Sequence, residues 1–336
     1  MQFNKEAISV QYNITKLCAS VRAWHHAWFL VIALTVAAPF ALASEHGASA
    51  WPLGVEGVLT ALEPPPHGTM LQNYETTFNS NELDDANGKS AVPDFKIHVV
   101  AMSIRLKHNW GVKFLGGYLG SEVAIPVVYQ KMSIGNLSDS RFSLTNTLLT
   151  PIAVYYKKGP FFYYYAIDIQ TPGSGYAKAN LVNIGQNYWS AAPAFGFTVL
   201  PNKGKTELSD RTMYYVNDTD ASTNYHSGNI FITEFSASQS ISRKVALGVG
   251  GSFSKQTTND SQYGKAVITQ NVDGTYSTGY RSQDLKIGPT VRFPLGKAGG
   301  IIFKFYRDTL VQNSARGNAF WFQLGCPFPN LNKNVH

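Results

Sequence analysis

Residues 225–260 read YHSGNIFITEFSASQSISRKVALGVGGSFSKQTTND, and they contain two runs in which apolar side chains alternate with polar or small ones. In the first run Phe231 and Phe235 alternate with Glu234, and in the second Val245 and Leu247 alternate with small residues. Because successive side chains of a strand point to opposite faces, each run predicts a strand with one apolar face. The short polar link between them predicts a β-hairpin. Its strands would be about ten residues long or more, enough to cross a bilayer at a tilt, so the hairpin predicts a transmembrane β-barrel.

The composition agrees with such a barrel without proving it. The 336 residues include 13% aromatic side chains and only 15% charged ones. A barrel that is apolar outside and wet inside has this combination. A large soluble β-sandwich would share much of it, so composition alone leaves the fold open.

The apolar run WFLVIALTVAA at residues 28–38 predicts a secretory signal peptide. At about eleven residues it is too short to cross a membrane as a helix. Basic residues precede it, and the small-residue signal Ala41-Leu42-Ala43 follows it. We therefore predict a signal peptide over residues 1–43, cut after Ala43, and export to the outer membrane of a Gram-negative bacterium. The alternative is a buried helix of the mature protein.

Charge, cysteine content and motifs exclude several classes of function. Without residues 1–43 the chain keeps 25 basic and 20 acidic residues, a net charge of +5. They are scattered, so we predict no nucleic-acid partner. Cys18 leaves with the predicted signal peptide and Cys326 then stands alone, so no intramolecular disulfide is expected. No catalytic or cofactor motif occurs in a usable context, and we predict no catalytic residue, metal or cofactor and no enzymatic activity.

The mature chain divides into a lead-in segment, a barrel and a tail. Residues 44–68 contain Pro64-Pro65-Pro66, which cannot join the interior of a sheet, and we predict a periplasmic lead-in segment or a plug. Residues 69–325 are predicted to form the barrel and residues 326–336 a C-terminal tail. Twelve alternating runs are predicted as strands at 69–80, 94–107, 118–131, 147–157, 160–171, 189–200, 206–216, 225–240, 244–257, 279–294, 300–308 and 317–325.

The lengths of the links between these runs favour an outer-membrane barrel. The links after the fourth, sixth, eighth and tenth runs are short, whereas those after the odd-numbered runs are longer and polar. Outer-membrane barrels have short turns on the periplasmic side and long loops outside. A β-sandwich has no reason to segregate its loops in this way. An even number of strands also places both termini in the periplasm.

Charged residues of the predicted strands fall on the face opposite the apolar one. A basic residue that faces lipid near the midplane costs about 2–4 kcal/mol, so we expect these residues to line the lumen. The candidates are Glu75, Arg105, Glu122, Asp168, Glu234, Lys286, Arg292, Lys304 and Asp308. We further expect Glu122, Asp168 and Glu234 to face Lys286, Arg292 and Lys304 across a narrow, amphipathic lumen. The alternative is that internal ion pairs merely fill the barrel.

Several motifs, in order, resemble a known family of outer-membrane proteins. They are Pro52-Leu53-Gly54-Val55-Glu56, Pro64-Pro65-Pro66-His67-Gly68, Asn73-Tyr74, Asn187-Tyr188-Trp189, Tyr225-His226-Ser227-Gly228, Phe231 to Glu234, Gln256-Thr257-Thr258-Asn259-Asp260 and Ile287-Gly288-Pro289. Together they resemble the "meta-pathway of phenol degradation" family. The resemblance covers essentially the whole mature chain and implies an outer-membrane barrel with a role in uptake. His67 interrupts the usual PPPG, and residues follow Phe328 where such barrels commonly end.

Three classes of function remain open from the sequence. The first is a channel or transporter for small, hydrophobic or aromatic solutes, with outer-membrane lipids and the assembly machinery as partners. The second is a structural or surface-interaction barrel whose long loops contact something outside. The third is a membrane-embedded hydrolase, for which no set of serine, histidine and acid side chains is evident.

Overall fold

The computed structural model describes residues 49–295 and 299–328, so the predicted signal peptide and residues 44–48 and 329–336 lie outside the described residues. Nineteen strands occur in this part of the chain, together with one short helix, α1, at Pro201–Gly204. The strands are β1 Thr69–Leu83, β2 Lys96–Phe114, β3 Gly117–Ile134, β4 Leu137–Leu144, β5 Leu148–Lys158, β6 Phe161–Gln170, β7 Ser190–Val199, β8 Thr206–Asn217, β9 Thr219–Asp220, β10 Tyr225–His226, β11 Ile230–Ser240, β12 Ala246–Gln256, β13 Ser261–Gln262, β14 Lys265–Ala266, β15 Ile268–Gln270, β16 Tyr276–Thr278, β17 Gln283–Leu295, β18 Gly299–Gln312 and β19 Ala315–Phe328.

Twelve of these strands form a closed, antiparallel, up-and-down barrel, which confirms the predicted fold class. Neighbours in the barrel follow the order β2, β1, β19, β18, β17, β12, β11, β8, β7, β6, β5 and β3, and the pairing of β2 with β3 closes the ring. The first and last strands pair over their whole length, from Thr69 opposite Phe328 to Leu83 opposite Ala315. Both described ends of the barrel wall therefore lie at the same rim.

The two rims differ in the length of their connections. The rim that carries Thr69 and Phe328 has short links, including residues 115–116, 159–160 and 241–245, and we call it the turn end. The opposite rim, the loop end, carries residues 84–95, 135–147, 171–189, 218–229 and 257–282. The remaining strands belong to this end: β4 extends the edge of β3, and the others form small sheets within the loops.

Two details of the predicted strands are wrong. The long link expected after the eleventh run is only residues 313–314, because β18 and β19 extend further than the alternation indicated. Asn313 takes a positive φ of 48° there, as tight hairpin turns require. The predicted strand 225–240 is interrupted, since the backbone N–H of Gly228 turns away to bind Asp260 of the next loop at 2.7 Å.

The wall has an apolar outer face and a polar inner one. Exposed outer side chains include Val100, Ile104, Ile167, Leu247 and Phe320, and exposed Trp110 lies near the turn end of β2. The alternate positions of the same strands point inward and are buried or half-buried, with polar, small and aromatic side chains and, near the loop end of β2, apolar ones. The outer face therefore matches a lipid environment over most of its height, and most charged groups in the middle of the wall lie inside. Among the described residues, no helix has both the length and the apolar character to span a membrane.

The lumen is occupied by residues 49–68, here called the lumen segment. Apart from turns, this stretch has no regular structure, yet Trp51, Val55 and Ala61 are buried. Its contacts reach strands on all sides of the barrel, from β2 to β18. It leads at the turn end into β1.

Candidate functional site in the barrel lumen

Two oppositely charged side chains hold the backbone of the lumen segment. Glu234 on β11 accepts hydrogen bonds from the indole Nε1 of Trp51 at 3.1 Å and from the N–H groups of Gly54 and Glu56 at 2.5 and 2.7 Å. Lys304 on β18 donates to the carbonyl oxygens of Gly54, Val55 and Glu56 at 2.7, 2.8 and 3.2 Å. The same tight turn thus gives its donors to a carboxylate and its acceptors to an ammonium group.

Glycine permits this turn to form so close to the wall. Gly54 has a φ of +98°, and a Cβ there would lie 2.9 Å from the ring of Tyr306. Gly57 has a φ of +95°, and its Cβ would lie 3.2 Å from the carbonyl oxygen of Phe235. Glycine alone adopts such backbone angles without steric cost. The two glycines therefore allow the turn to lie close to the wall, so that the Glu56 side chain reaches charged groups on the opposite side of the lumen.

Glu56 joins a buried network on β1, β2 and β3. It accepts hydrogen bonds from the hydroxyls of Thr60 and Tyr74 at 2.7 and 2.8 Å and forms an ion pair with Arg105. The same guanidinium also binds Glu122, which lies within 4 Å of the Lys107 ammonium. All these groups are buried, so the charges compensate one another away from bulk water.

A second buried ion pair contacts the ring of Trp51. Arg211 on β8 binds Asp168 on β6, and Asp168 also accepts a hydrogen bond from Thr150 at 2.7 Å. The guanidinium carbon of Arg211 lies 4.7 Å from the centre of the Trp51 ring. This cation–π contact links the wall to the aromatic end of the lumen segment.

Closer to the turn end, hydroxyl groups and a carboxylate hold the remainder of the segment. Glu207 accepts hydrogen bonds from the backbone N–H of Leu59 at 3.1 Å and from three serines of β8 and β11. The hydroxyl of Thr198 accepts one from the N–H of Ala61 at 3.1 Å. Every level of the lumen segment from Trp51 to Ala61 therefore has a partner on the wall.

The structure places most of the predicted lumen residues inside, though in a different arrangement. Arg105, Glu122, Asp168, Glu234, Lys286, Lys304 and Asp308 are buried, and Arg292 is half-buried. Lys286 pairs with Asp284 and Asp308 on its own and the adjoining strand, at 2.9 and 2.5 Å. The acids and bases do not face one another across an open lumen as expected. The lumen segment lies between Glu234 and Lys304. Lys286 pairs within its own and the neighbouring strand, and Asp168 on β6 pairs with Arg211 on β8, two strands away.

Glu75 is the exception and lies on the outer face. Its neighbour Tyr74 points inward to Glu56, whereas Glu75 is exposed and accepts a hydrogen bond from Asn73 at 2.9 Å. The expectation that Glu75 lines the lumen is therefore wrong. Strand β1 carries polar side chains on both faces, including Asn73 and Thr77 outside, so alternation did not reveal its orientation.

We predict that Glu75→Leu stabilises the barrel in lipid. A charged side chain on the lipid face destabilises the barrel, by about 2–4 kcal/mol for a basic residue and by less for an acid. Removing the charge of Glu75 should therefore stabilise the barrel by about 1 kcal/mol. The free energy of unfolding in phospholipid bilayers would measure the gain, and Glu75→Gln should give part of it. A loss of stability in both variants would contradict the assignment of this side chain to the lipid face.

Several residues of the site escaped the sequence analysis. Lys107, Glu207 and Arg211 lie on predicted strands, at alternate positions that point inward. Assigning every charged strand residue by this alternation would have found them. Glu56 had no such signal, because it belongs to a segment without regular structure.

The ionisation of Glu63 is expected to make the docking of the lumen segment near the turn end depend on pH. Burial raises the pKa of this carboxyl to about 7, against the opposing effect of Lys113 and Lys157. Because docking raises this pKa, the protonated Glu63 stabilises the docked segment. That contribution is complete when the pH is below the ordinary pKa of 4.5 and is lost as the pH rises through about 7.

We predict that protease cleavage within residues 59–68 of the folded barrel increases between pH 5 and 8, and that Glu63→Gln abolishes the change. An equal increase in both proteins would contradict this origin.

A cavity of about 440 Å³ lies between the lumen segment and the loop end. One wall consists of apolar side chains of β2 and β3, among them Val99, Ala101 and Val128. Trp51 and Leu53 form part of its floor. At the loop end an apolar cluster of Phe95, Met132, Val182, Ile184 and their neighbours joins two loops to the wall.

Polar side chains also line the cavity beside its apolar wall. The indole Nε1 of Trp321 and the Oε1 atom of Gln170 are buried there, and neither has a hydrogen-bond partner among the residues that the structure describes. Lys286 and Asp284 line the opposite side. The cavity can thus enclose a small apolar molecule and offer it one or two hydrogen bonds.

Of the solved structures that resemble the chain, an outer membrane channel shares this fold, and others are less similar. An outer membrane channel from Pseudomonas putida F1 has a TM-score of 0.66 at 14% identity, covering 80% of this chain and 98% of that chain. The β domain of the Bordetella autotransporter BrkA has a TM-score of 0.43 at 12% identity over 78% and 100% of the two chains. A FadL homologue from Pseudomonas aeruginosa has a TM-score of 0.36 at 10% identity over 78% and 89%. No curated protein matches the chain.

One family matches most of the chain by sequence. It is described as "Putative MetA-pathway of phenol degradation", and the match covers residues 80–324, which is nearly the whole barrel wall. The resemblance seen in the sequence motifs is therefore confirmed, and the chain belongs to this family.

Proposed function

We propose that the protein is a channel of the Gram-negative outer membrane that takes up small hydrophobic or aromatic compounds. The observation that carries the proposal is the apolar cavity above the anchored lumen segment. Its volume of about 440 Å³ suits a small ligand, and most of the surface that it exposes is apolar. The family description and the fold shared with an outer membrane channel support the same reading.

In this mechanism the cavity receives the solute and the lumen segment controls its onward passage. The loop end faces outside, as in other outer-membrane barrels, so a solute enters the cavity between the loops. Trp51 and Leu53 then block the direct route toward the turn end. Passage requires the segment to move from the contacts with Glu234 and Lys304, which makes those contacts the gate.

A pair of neighbouring substitutions on β2 tests the role of the cavity. Ala101 lines the cavity, whereas Val100 is exposed on the outer face of the same strand. We expect Ala101→Trp to fill the cavity and reduce the uptake of radiolabelled toluene to that of cells without the protein. Val100→Trp adds the same ring to the lipid face and should leave uptake unchanged.

The comparison separates the proposal from the alternatives. Uptake that is equal in the Ala101→Trp variant and the unmodified protein would show that the solute does not use the cavity. A surface-interaction barrel would instead lose its binding to an external partner when the loop at residues 257–282 is deleted. In that case neither substitution would change toluene uptake.

A further inference from the structure

A continuous row of polar side chains crosses the outer face of the barrel near the loop end. Register places each member opposite the next on the adjoining strand. From β18 to β4 the row is Arg307, Asn318, Asn79, His98, Lys131 and Ser140. Asn79 and His98 are also joined by a side-chain hydrogen bond of 2.6 Å. Six neighbouring strands thus present polar groups to the outside at one level.

The next outward row toward the turn end is largely apolar. It consists of Phe305, Phe320, Thr77, Val100, Tyr129 and Phe142, again in register across the same strands. A change from polar to apolar rows within one strand repeat marks the level where lipid headgroups meet acyl chains. The polar row therefore lies at the headgroup level of the outer leaflet.

The middle of this row borders a groove that carries positive charge. The groove has a volume of about 520 Å³ and is lined by Lys96, His98, Lys131, Asn79 and Asn318, together with smaller polar residues. Lys96 and Lys131 are exposed, as is Arg307 on β18, three strands from Lys96 and next to Asn318 of the groove.

The nearest acidic side chains leave this charge largely uncompensated. Glu82 is within 4 Å of Arg316, and Asp139 binds Arg141 and the N–H of Val182. Asp94 is exposed in the turn before β2, two residues before Lys96. The groove and its flank thus carry three fixed positive charges against one nearby carboxylate.

We propose that this groove binds the phosphate of a phosphorylated glycolipid in the outer leaflet. This inference rests on the proposed location of the protein in the outer membrane. Lysine ammonium groups and the amides of Asn79 and Asn318 supply donors for a phosphate, while the phenyl rings and Val100 in the row below offer an apolar surface to acyl chains. A free phosphate ion would use only the donors, whereas a lipid uses both rows.

Binding of lipid A to the purified full-length barrel in detergent tests the proposal. Native mass spectrometry would follow diphosphoryl lipid A, lipid A with its phosphates removed, and inorganic phosphate as a competitor. In the triple variant Lys96→Gln, Lys131→Gln, Arg307→Gln we expect affinity for diphosphoryl lipid A to fall about tenfold or more, since each basic group at an anionic surface contributes about fivefold. The matched control, Lys113→Gln, Lys157→Gln, Lys158→Gln, removes the same charge at the turn end and should bind as the unmodified protein does.

The outcomes decide between a built site and general charge attraction. A loss in the triple variant alone, with weak binding of the dephosphorylated lipid, would support the proposal. Equal losses in both triple variants would overturn it, as would equal binding of the two lipids. Displacement of the lipid by millimolar phosphate would identify the free ion as the ligand and also overturn it. Toluene uptake should be the same in the triple variant, so failure here is distinguishable from failure of the channel proposal.

Discussion

Replacing Glu234 by Gln and Lys304 by Met is expected to convert the barrel into an open pore. Together these side chains make six hydrogen bonds to residues 51–56. Removing a partner from a buried charged contact costs roughly 3–5 kcal/mol. The equilibrium between the docked and the released segment would therefore shift by roughly two to four orders of magnitude. Single-channel conductance in planar bilayers should rise from a low, intermittent level to a sustained one.

A matched pair of interior substitutions controls for the loss of charge. Lys286→Met with Asp308→Asn removes one buried base and one buried acid that bind each other and not the lumen segment. Conductance of this control should remain low. If the two double variants conduct alike, the interior charge and not the anchored backbone limits the current, and the gate assignment is wrong.

The second large effect is expected from Arg105→Met. Its guanidinium compensates Glu56 of the lumen segment and Glu122 of β3 at once, and all three groups are buried. Loss of the shared cation leaves two carboxylates with too little compensation, and the free energy of unfolding should fall by about 3–5 kcal/mol. Heat-modifiable migration of the folded barrel during electrophoresis, or urea unfolding in bilayers, would measure the change.

A second substitution should restore part of this loss. Glu122→Gln in the Arg105→Met background removes one of the two uncompensated charges, so the double variant should be more stable than Arg105→Met alone. Residues that share a partner are not additive, and the coupling energy of this cycle reports the pair directly. Additive losses would show that Arg105 acts through packing and not through its charge.

The barrel wall could be predicted from the sequence because its physical pattern is local. Each strand must hide its polar side from lipid, so the alternation of Phe231, Phe235 and Ala237 with Glu234 and Ser236 was sufficient to orient β11. Strand β1 lacks such a contrast, and there the rule misplaced Glu75. The turn at residues 313–314 was missed because strands that extend beyond the bilayer no longer need an apolar face.

The site itself was predictable only in part. Parity indicated that Lys304 and Glu234 point inward, but it carried no information on what they bind. Their partners are backbone groups of Gly54 and Glu56, and the periodicity of side chains in a sequence does not show which backbone groups a side chain will bind. The pairing of Arg105 with Glu56 likewise joins positions 49 residues apart. Contacts between a wall and an irregular segment depend on where the chain folds back, which no local pattern records.

The three prolines near the end of the lumen segment, just before β1, have a kinetic consequence. Pro64-Pro65-Pro66 is a stiff spacer that connects Glu63 to Thr69, the first residue of the wall. A segment released from Glu234 and Lys304 therefore stays within a few nanometres of its seat, and a short tether gives an effective concentration on the order of millimolar. Rebinding is then a first-order event whose rate does not depend on protein concentration. In the proposed channel, each opening would therefore be self-limiting, and the pore would reclose without a second protein to reset it.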